Sequence, residues 1–423
     1  MQNKTTKFIF GLLIVLSNSF QAFAQDPYLN SFSSIEPRNT NFDDLGFLKQ
    51  QIGDKQIVMI GEQDHFAGAS IDAKARIANY LIKEMGFEVI LFEAGFYDVQ
   101  KSVEYLKKEK RGGFRYSLYF LWAKSQNIIP FLDTLSKNAV DDKIHLDGFD
   151  PKFTSIYSSK FYILDLEKIL NETEYIKSNQ ADWNIFKKLV QTAADKFDKK
   201  LTKFNAKERD LLYRVSRDIN KVLVSANQSY WAQAVLTNTD ILIEYSKISL
   251  KAMIANNEKA ENLDNKRDSL MAENTKWLLE NKYKGKKVII WAASYHITKQ
   301  PEIISSTSKH NFSGKKTLGG EIGNIYKDKV YSIGFISYQG KYGISFDKPK
   351  GTTIKLHNEN SIEVYIHKYN YPFCFLALKD NKNIGGKTAM INGFNNESYN
   401  SLDWSKNYDA LIYIENMYPN TLK

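Results

Sequence analysis

The sequence predicts an α/β fold, with a mostly parallel central sheet flanked by helices and a helical insertion or subdomain. Three observations predict it. Short apolar runs stop abruptly at glycine or an acid, as in Ile57-Val58-Met59-Ile60-Gly61 and Val89-Ile90-Leu91-Phe92-Glu93. Such runs suit strands buried on both faces. Segments with helical spacing separate them, and strand–helix alternation favours a parallel sheet. Finally, residues 155 to 283 contain no Gly or Pro and are rich in Lys, Glu, Asn and Leu, which reads as a set of helices.

Taken in order, residues 1–24 read as a signal peptide. Lys4 and Lys7 precede an apolar run from Phe8 to Leu16, and Ala22-Phe23-Ala24 forms a cleavage site before Gln25. An uncleaved anchor is the alternative. No later stretch is long and apolar enough for a membrane helix. The expectation is therefore a soluble periplasmic or secreted protein with no stable membrane insertion. Residues 25 to about 52 form a polar lead-in. The core then begins at the strand Ile57 to Ile60. A helix follows over Ser70 to Met85, with apolar residues at Ile71, Ala75, Ala78, Ile82 and Met85. Val89 to Phe92 is the second strand. Helical segments are expected through Val103 to Leu106 and Leu118 to Leu135, and Ile144 to Leu146 begins a third strand. After the helical segment, strands are expected at Val288 to Trp291, Lys329 to Ile336, Gly343 to Phe346, Phe373 to Leu378 and Ala410 to Ile414. The chain thus divides into a first part of the core (25–154), a helical insertion (155–283) and a second part of the core (284–423).

Composition excludes several classes. The lone cysteine, Cys374, allows no internal disulfide, and its apolar surroundings suit a buried residue. The formal charge of +10 comes from lysines scattered among acids on helix-like stretches. No zinc-finger, RRM-like or basic-helix pattern accompanies it, so nucleic acid is not an expected partner. There is no G-x-S-x-G elbow and no H-E-x-x-H helix. Gly385-Gly386-Lys387-Thr388 mimics the end of a P-loop, but position 381 is Asn and the stretch reads as a turn.

In open α/β sheets, ligands bind beyond the carboxyl ends of the strands. Here the strands lead into Glu62 and His65, Glu93, Asp147 and Asp150, and His296. Parallel neighbours would gather two imidazoles and several carboxylates on one rim. Those residues suit water activation. A neutral imidazole takes a proton near neutral pH. A carboxylate beside it fixes the tautomer, and a second imidazole can bond an oxygen that gains charge. His65 fills the role of base, Glu62 and Glu93 orient, and His296 is the second imidazole.

The chain resembles the erythromycin esterase family, within a broader α/β group that includes ChaN-like and TIKI-like proteins. The resemblance rests on an ordered set of blocks: Gly61-Glu62-Gln63-Asp64-His65, Phe92-Glu93-Ala94-Gly95-Phe96, Trp122, Gly148-Phe149-Asp150, Arg267-Asp268-Ser269-Leu270, Trp291-Ala292-Ala293-Ser294-Tyr295-His296, Leu318-Gly319-Gly320 and Tyr408-Asp409-Ala410. It covers nearly all of the chain after the signal peptide. It implies hydrolysis of a small-molecule ester or lactone, in known members a macrolide lactone, without a metal or other cofactor. It also implies His65 as base, with Glu62 and Glu93 in support. Asp64, Trp122, Asp150 and Arg267 sit in the matching blocks and are assigned to substrate binding. The late block departs from the family's W-A-H-N-x-H, since Ala293 and Ser294 replace its first His and its Asn. Gln126 stands where the family often has Glu, and the family's Arg-Glu after the first block is not visible at Gly68-Ala69. Two other readings follow: a metal-dependent hydrolase using Glu62, His65, Glu93 and His296, or a non-catalytic binding protein that kept the pocket.

Overall fold

A computed structural model describes residues 26–109, 113–196, 202–248, 258–306, 312–345, 351–355, 357–391 and 399–422. The expected signal peptide and Phe346 lie outside these residues. The centre is one sheet whose main path has eight strands: β1 (Leu29–Phe32), β2 (Ile57–Glu62), β3 (Val89–Gly95), β4 (His145–Asp150), β5 (Val288–Ala293), β6 (Val330–Tyr342), β7 (Phe373–Ala377) and β8 (Ala410–Met417). Their order across the sheet is β1-β7-β8-β6-β2-β5-β3-β4, and a short strand at Thr352–Thr353 pairs with the far end of β6. From β8 to β4 every pairing is parallel. The β1–β7 and β7–β8 pairings at the other edge are antiparallel.

Every residue of β2 and β3 is buried, as continuous apolar runs between two helical layers must be. The helix Gly68–Met85 lies under the sheet and buries almost its whole first three turns. It stops at Gly86, which takes φ 71°, a left-handed cap that suits glycine. The helical segment contains Ile163–Leu170, Gln180–Ala194, Ala206–Ser225, Ser229–Ser246 and Glu258–Trp277. Trp183, Leu212, Val215 and Ile219 pack there around their own apolar cluster, which Tyr97 and Phe153 join from the core.

Several expectations need correction. The polar lead-in contains β1, an edge strand whose four residues are too few to show a period in sequence. The helix expected from Leu118 to Leu135 is two helices, Phe120–Ala123 and Ile129–Val140. Between them Ser125 bridges Leu422, and the amide of Gln126 donates to Thr421 O at 2.9 Å. Backbone pairing to the chain's end therefore breaks the helix. Of the strand expected from Gly343 to Phe346, Ile344–Ser345 is a strand and Gly343 is not. The P-loop mimic is, as expected, a turn, with Gly386 at φ 71°.

Candidate active site

The parallel run β2-β5-β3-β4 places four carboxyl-terminal tips side by side. Register makes them level: Glu62 pairs with Ala293, and Phe92 with Trp291. Two glycines permit the crowding. A Cβ on Gly61 would lie 2.7 Å from the backbone of Ser294, so only glycine lets the turn into His296 fold against β2. A Cβ on Gly148 would lie 2.3 Å from Ala94 O, at the register shift between Phe92 and Gly95 that follows β3's regular pairing. Such irregularities re-aim side chains at functional ends of strands, and here Glu93 occupies the shift.

The β2 side of the rim holds the first imidazole. His65 Nδ1 donates to Glu62 Oε1 at 2.9 Å, which fixes the proton on Nδ1. The other carboxylate oxygen of Glu62 accepts from Lys74 Nζ, whose ammonium also donates to Ala292 O at 2.9 Å. Lys74 is fully buried and lies 4.2 Å from the Trp291 ring centroid. Burial pushes the Glu62 carboxyl up, but Lys74 and His65 outweigh it and hold it below the usual value. Burial pulls His65 down, yet the bond and charge of Glu62, with the charge of Glu93, leave it above 6.5.

Across the rim stands the second imidazole. His296 Nδ1 lies 2.9 Å from Asp268 Oδ1, and Nε2 lies 3.2 Å from Glu93 Oε1. Burial opposes its charge, but Asp268 and Glu93 raise its pKa to about 10. His296 is therefore an imidazolium at neutral pH. Arg267 Nη2 donates to Glu93 Oε1 at 2.8 Å and to Asp150 Oδ2 at 2.6 Å. Asp150 also accepts from Tyr119 Oη at 3.0 Å and faces Lys152 at 3.4 Å. Burial raises both carboxyls, and the surrounding cations reverse this. Glu93 falls well below its usual range and Asp150 falls as well. Glu93 Oε2 accepts from the amide of Ala293 at 3.2 Å.

A cavity of about 370 Å³ joins the two sides and is lined by His65, Glu93, Lys152, Asp264, Arg267 and His296, with Tyr119, Leu121, Trp122 and Tyr295 as apolar wall. The Trp122 ring meets His65 edge to face at 5.6 Å. A broader basin of about 790 Å³ shares Tyr119 and Lys152 with it.

His65, Glu93, Trp122, Arg267 and His296 thus come together at one cavity, with Glu62 behind His65 and Asp150 behind Arg267. Glu93 makes its bonds to Arg267, His296 and Ala293. Asp64 is not among the residues that line the cavity. It is 2% exposed, one oxygen accepts from the Phe66 amide at 2.7 Å, and burial raises its pKa to about 6. That turn directs the carboxylate into the protein. Sequence reasoning missed Lys74, Asp268, Tyr119, Lys152 and Asp264. For Lys74 a signal existed, a lysine within the apolar stripe between Ile71 and Ala78, where an unpaired charge would be costly. It supplies a cation to the first block about one and a half helical turns beyond Gly68-Ala69. Among the described residues no group of three or more His, Cys, Asp or Glu side chains is placed to hold a metal ion. The rim carboxylates are turned to Lys74, Arg267 and the imidazoles instead.

The Erythromycin esterase family model matches residues 82–417. The chain belongs to the erythromycin esterase family. Two relatives are similar along most of their length. The putative hydrolase YbfO of Bacillus subtilis (strain 168) is 25% identical over 468 residues, spanning 100% of both chains. Erythromycin esterase type II of Escherichia coli is 23% identical over 374 residues, covering 81% of this chain and 85% of its own. A crystal structure of a Bacillus cereus protein shares the fold, with a TM-score of 0.72 and 20% identity over 94% of this chain and 97% of the other. Membership in the erythromycin esterase family makes this an erythromycin esterase-like hydrolase with a mixed α/β fold. Among the described residues no helix is long and apolar enough to cross a membrane.

Proposed function

We propose that this protein is an exported carboxylic ester hydrolase that cleaves an ester or lactone in a bulky, fairly apolar molecule. One observation carries the reading: His65 lines the cavity with its Nδ1 proton held by buried Glu62, opposite an imidazolium and a guanidinium. Deprotonated His65 takes a proton from water through Nε2 as the water oxygen bonds the carbonyl carbon. Negative charge moves onto the carbonyl oxygen, beside His296 and Arg267, whose fixed charges need no reorganisation. The tetrahedral intermediate then expels the alkoxide, which takes the proton back from His65, leaving acid and alcohol. Glu62 stabilises the transient imidazolium at position 65, and Lys74 keeps Glu62 ionised. The aromatic wall and the adjoining basin, with exposed Tyr116, Phe120 and Ile156, favour a substrate with a large apolar body. The amino-terminal signal pattern supports export.

The test is hydrolysis across a panel of aryl, alkyl and macrocyclic esters by wild type and His65→Ala. Turnover should fall by about 10²–10⁴-fold in the variant. A wild type inert on the whole panel would sink the esterase reading. Ala293 favours a second reading, a binding protein without turnover, because the family's first late-block histidine is replaced there by a residue that offers only its amide to Glu93. Ligand-induced thermal stabilisation with no product would support it.

A further inference from the structure

Resting on the hydrolase reading, we infer that Asp264 is a specificity residue that receives a protonated amine on the substrate. The other acids of the site are each matched to a protein cation: Glu62 to Lys74, Glu93 and Asp150 to Arg267, and Asp268 to His296. Asp264 lines the same cavity yet, among the described residues, forms no hydrogen bond and no ion pair within 4.0 Å. It lies on the helix Glu258–Trp277, three and four residues before Arg267 and Asp268, so helical spacing puts all three on one face. Lys315, Arg267 and His296 act on it through charge alone, and each of them is paired with another acid: Lys315 with Glu261 at 3.7 Å, Arg267 with Glu93 and Asp150, and His296 with Asp268. Burial raises the Asp264 carboxyl, as expected for a carboxylate short of partners.

A half-buried acid in this condition gains most from a ligand that brings a positive charge and an N–H donor. The cavity wall suits such a group. Tyr295 lines it next to Asp264, and Tyr119 and Trp122 add aromatic faces that attract cations. The Tyr295 hydroxyl is buried and has no hydrogen-bond partner among the described residues. A small movement on ligand binding would give it one. A neutral hydroxyl on the substrate would satisfy Asp264 less well, since it brings no charge.

The experiment uses two isosteric probes, dimethylaminoethyl benzoate and isopentyl benzoate, which differ by one ammonium in place of one methine. Their affinities at neutral pH are measured by calorimetry on His65→Ala protein, where turnover does not interfere. The ammonium ester should bind about tenfold tighter. That ratio should collapse towards one in the His65→Ala/Asp264→Asn double variant and persist in His65→Ala/Asp264→Glu. Equal affinities of the two esters for the Asp264 protein, or a preference that survives Asp264→Asn, overturns the inference and leaves ester hydrolysis standing. A cation preference that depends on Asp264, found alongside a wild type that hydrolyses neither ester, supports the inference and counts against the hydrolase reading.

Discussion

The two imidazoles of the cavity occupy opposite environments. His65 bonds Glu62 through Nδ1, Glu93 acts on it through charge, and its side chain is 24% exposed. His296 lies between two carboxylates and its side chain is 10% exposed. Burial disfavours charge on both, yet two buried carboxylates paired directly with His296 outweigh it further than Glu62 and the more distant charge of Glu93 do for His65. The result is one ring poised to exchange a proton and one that stays charged. In the proposed mechanism the same residue type performs two tasks, and how closely buried acids pair with each ring decides which.

The largest expected effect comes from the cation shared by the His296 side. Arg267→Met leaves Glu93 and Asp150 buried with fewer partners and should cost about 3–5 kcal/mol in urea unfolding. An unchanged midpoint would show that Lys152 and His296 alone satisfy those acids. Next is the alkaline limit. His296 has a pKa of about 10 in the folded protein against 6.5 for an ordinary histidine. Its stabilising contribution is complete below pH 6.5 and fades as pH rises through about 10. Asp268→Asn removes the larger of its two charge partners. Both the stability loss and the alkaline arm of kcat/KM should then move to lower pH.

On the other side the sign works on the acid arm. His65 must lose its proton to act, and Glu62 holds its pKa above 6.5. Wild-type activity should therefore rise through a pH above 6.5, and Glu62→Gln should move that rise to lower pH while reducing the maximum. An acid arm that ignores Glu62→Gln would assign the base elsewhere. The smallest effect belongs to Asp64, whose raised pKa of about 6 means that its ionised form is strained in the folded state at neutral pH. Asp64→Asn keeps an acceptor for the Phe66 amide and should stabilise the protein by about 1–2 kcal/mol above pH 6. A loss of substrate affinity instead would show that Asp64 acts in substrate binding.

Much of this site was legible before any coordinates. Apolar runs ending in Glu62, Glu93, Asp150 and the turn to His296 located four strand tips, because a strand buried on both faces leaves only its end free for chemistry. The family blocks pointed to Trp122 and Arg267. Asp64 was assigned to binding from its block alone, and its absence from the cavity lining reflects the tight turn, which decides which side chain faces the cavity.

By itself the sequence determined the parallel α/β core, the helical segment and the acid–imidazole content of the strand ends, since these follow from periodicity and from the cost of burying polar groups. Only the tertiary structure decided which acid serves which imidazole. It turned Glu93 towards His296 and Arg267, brought Lys74 beneath Glu62 from a neighbouring helix, and joined β1 to the edge of the sheet. Those pairings depend on strand order and register across residues far apart in the chain, and no local pattern encodes them.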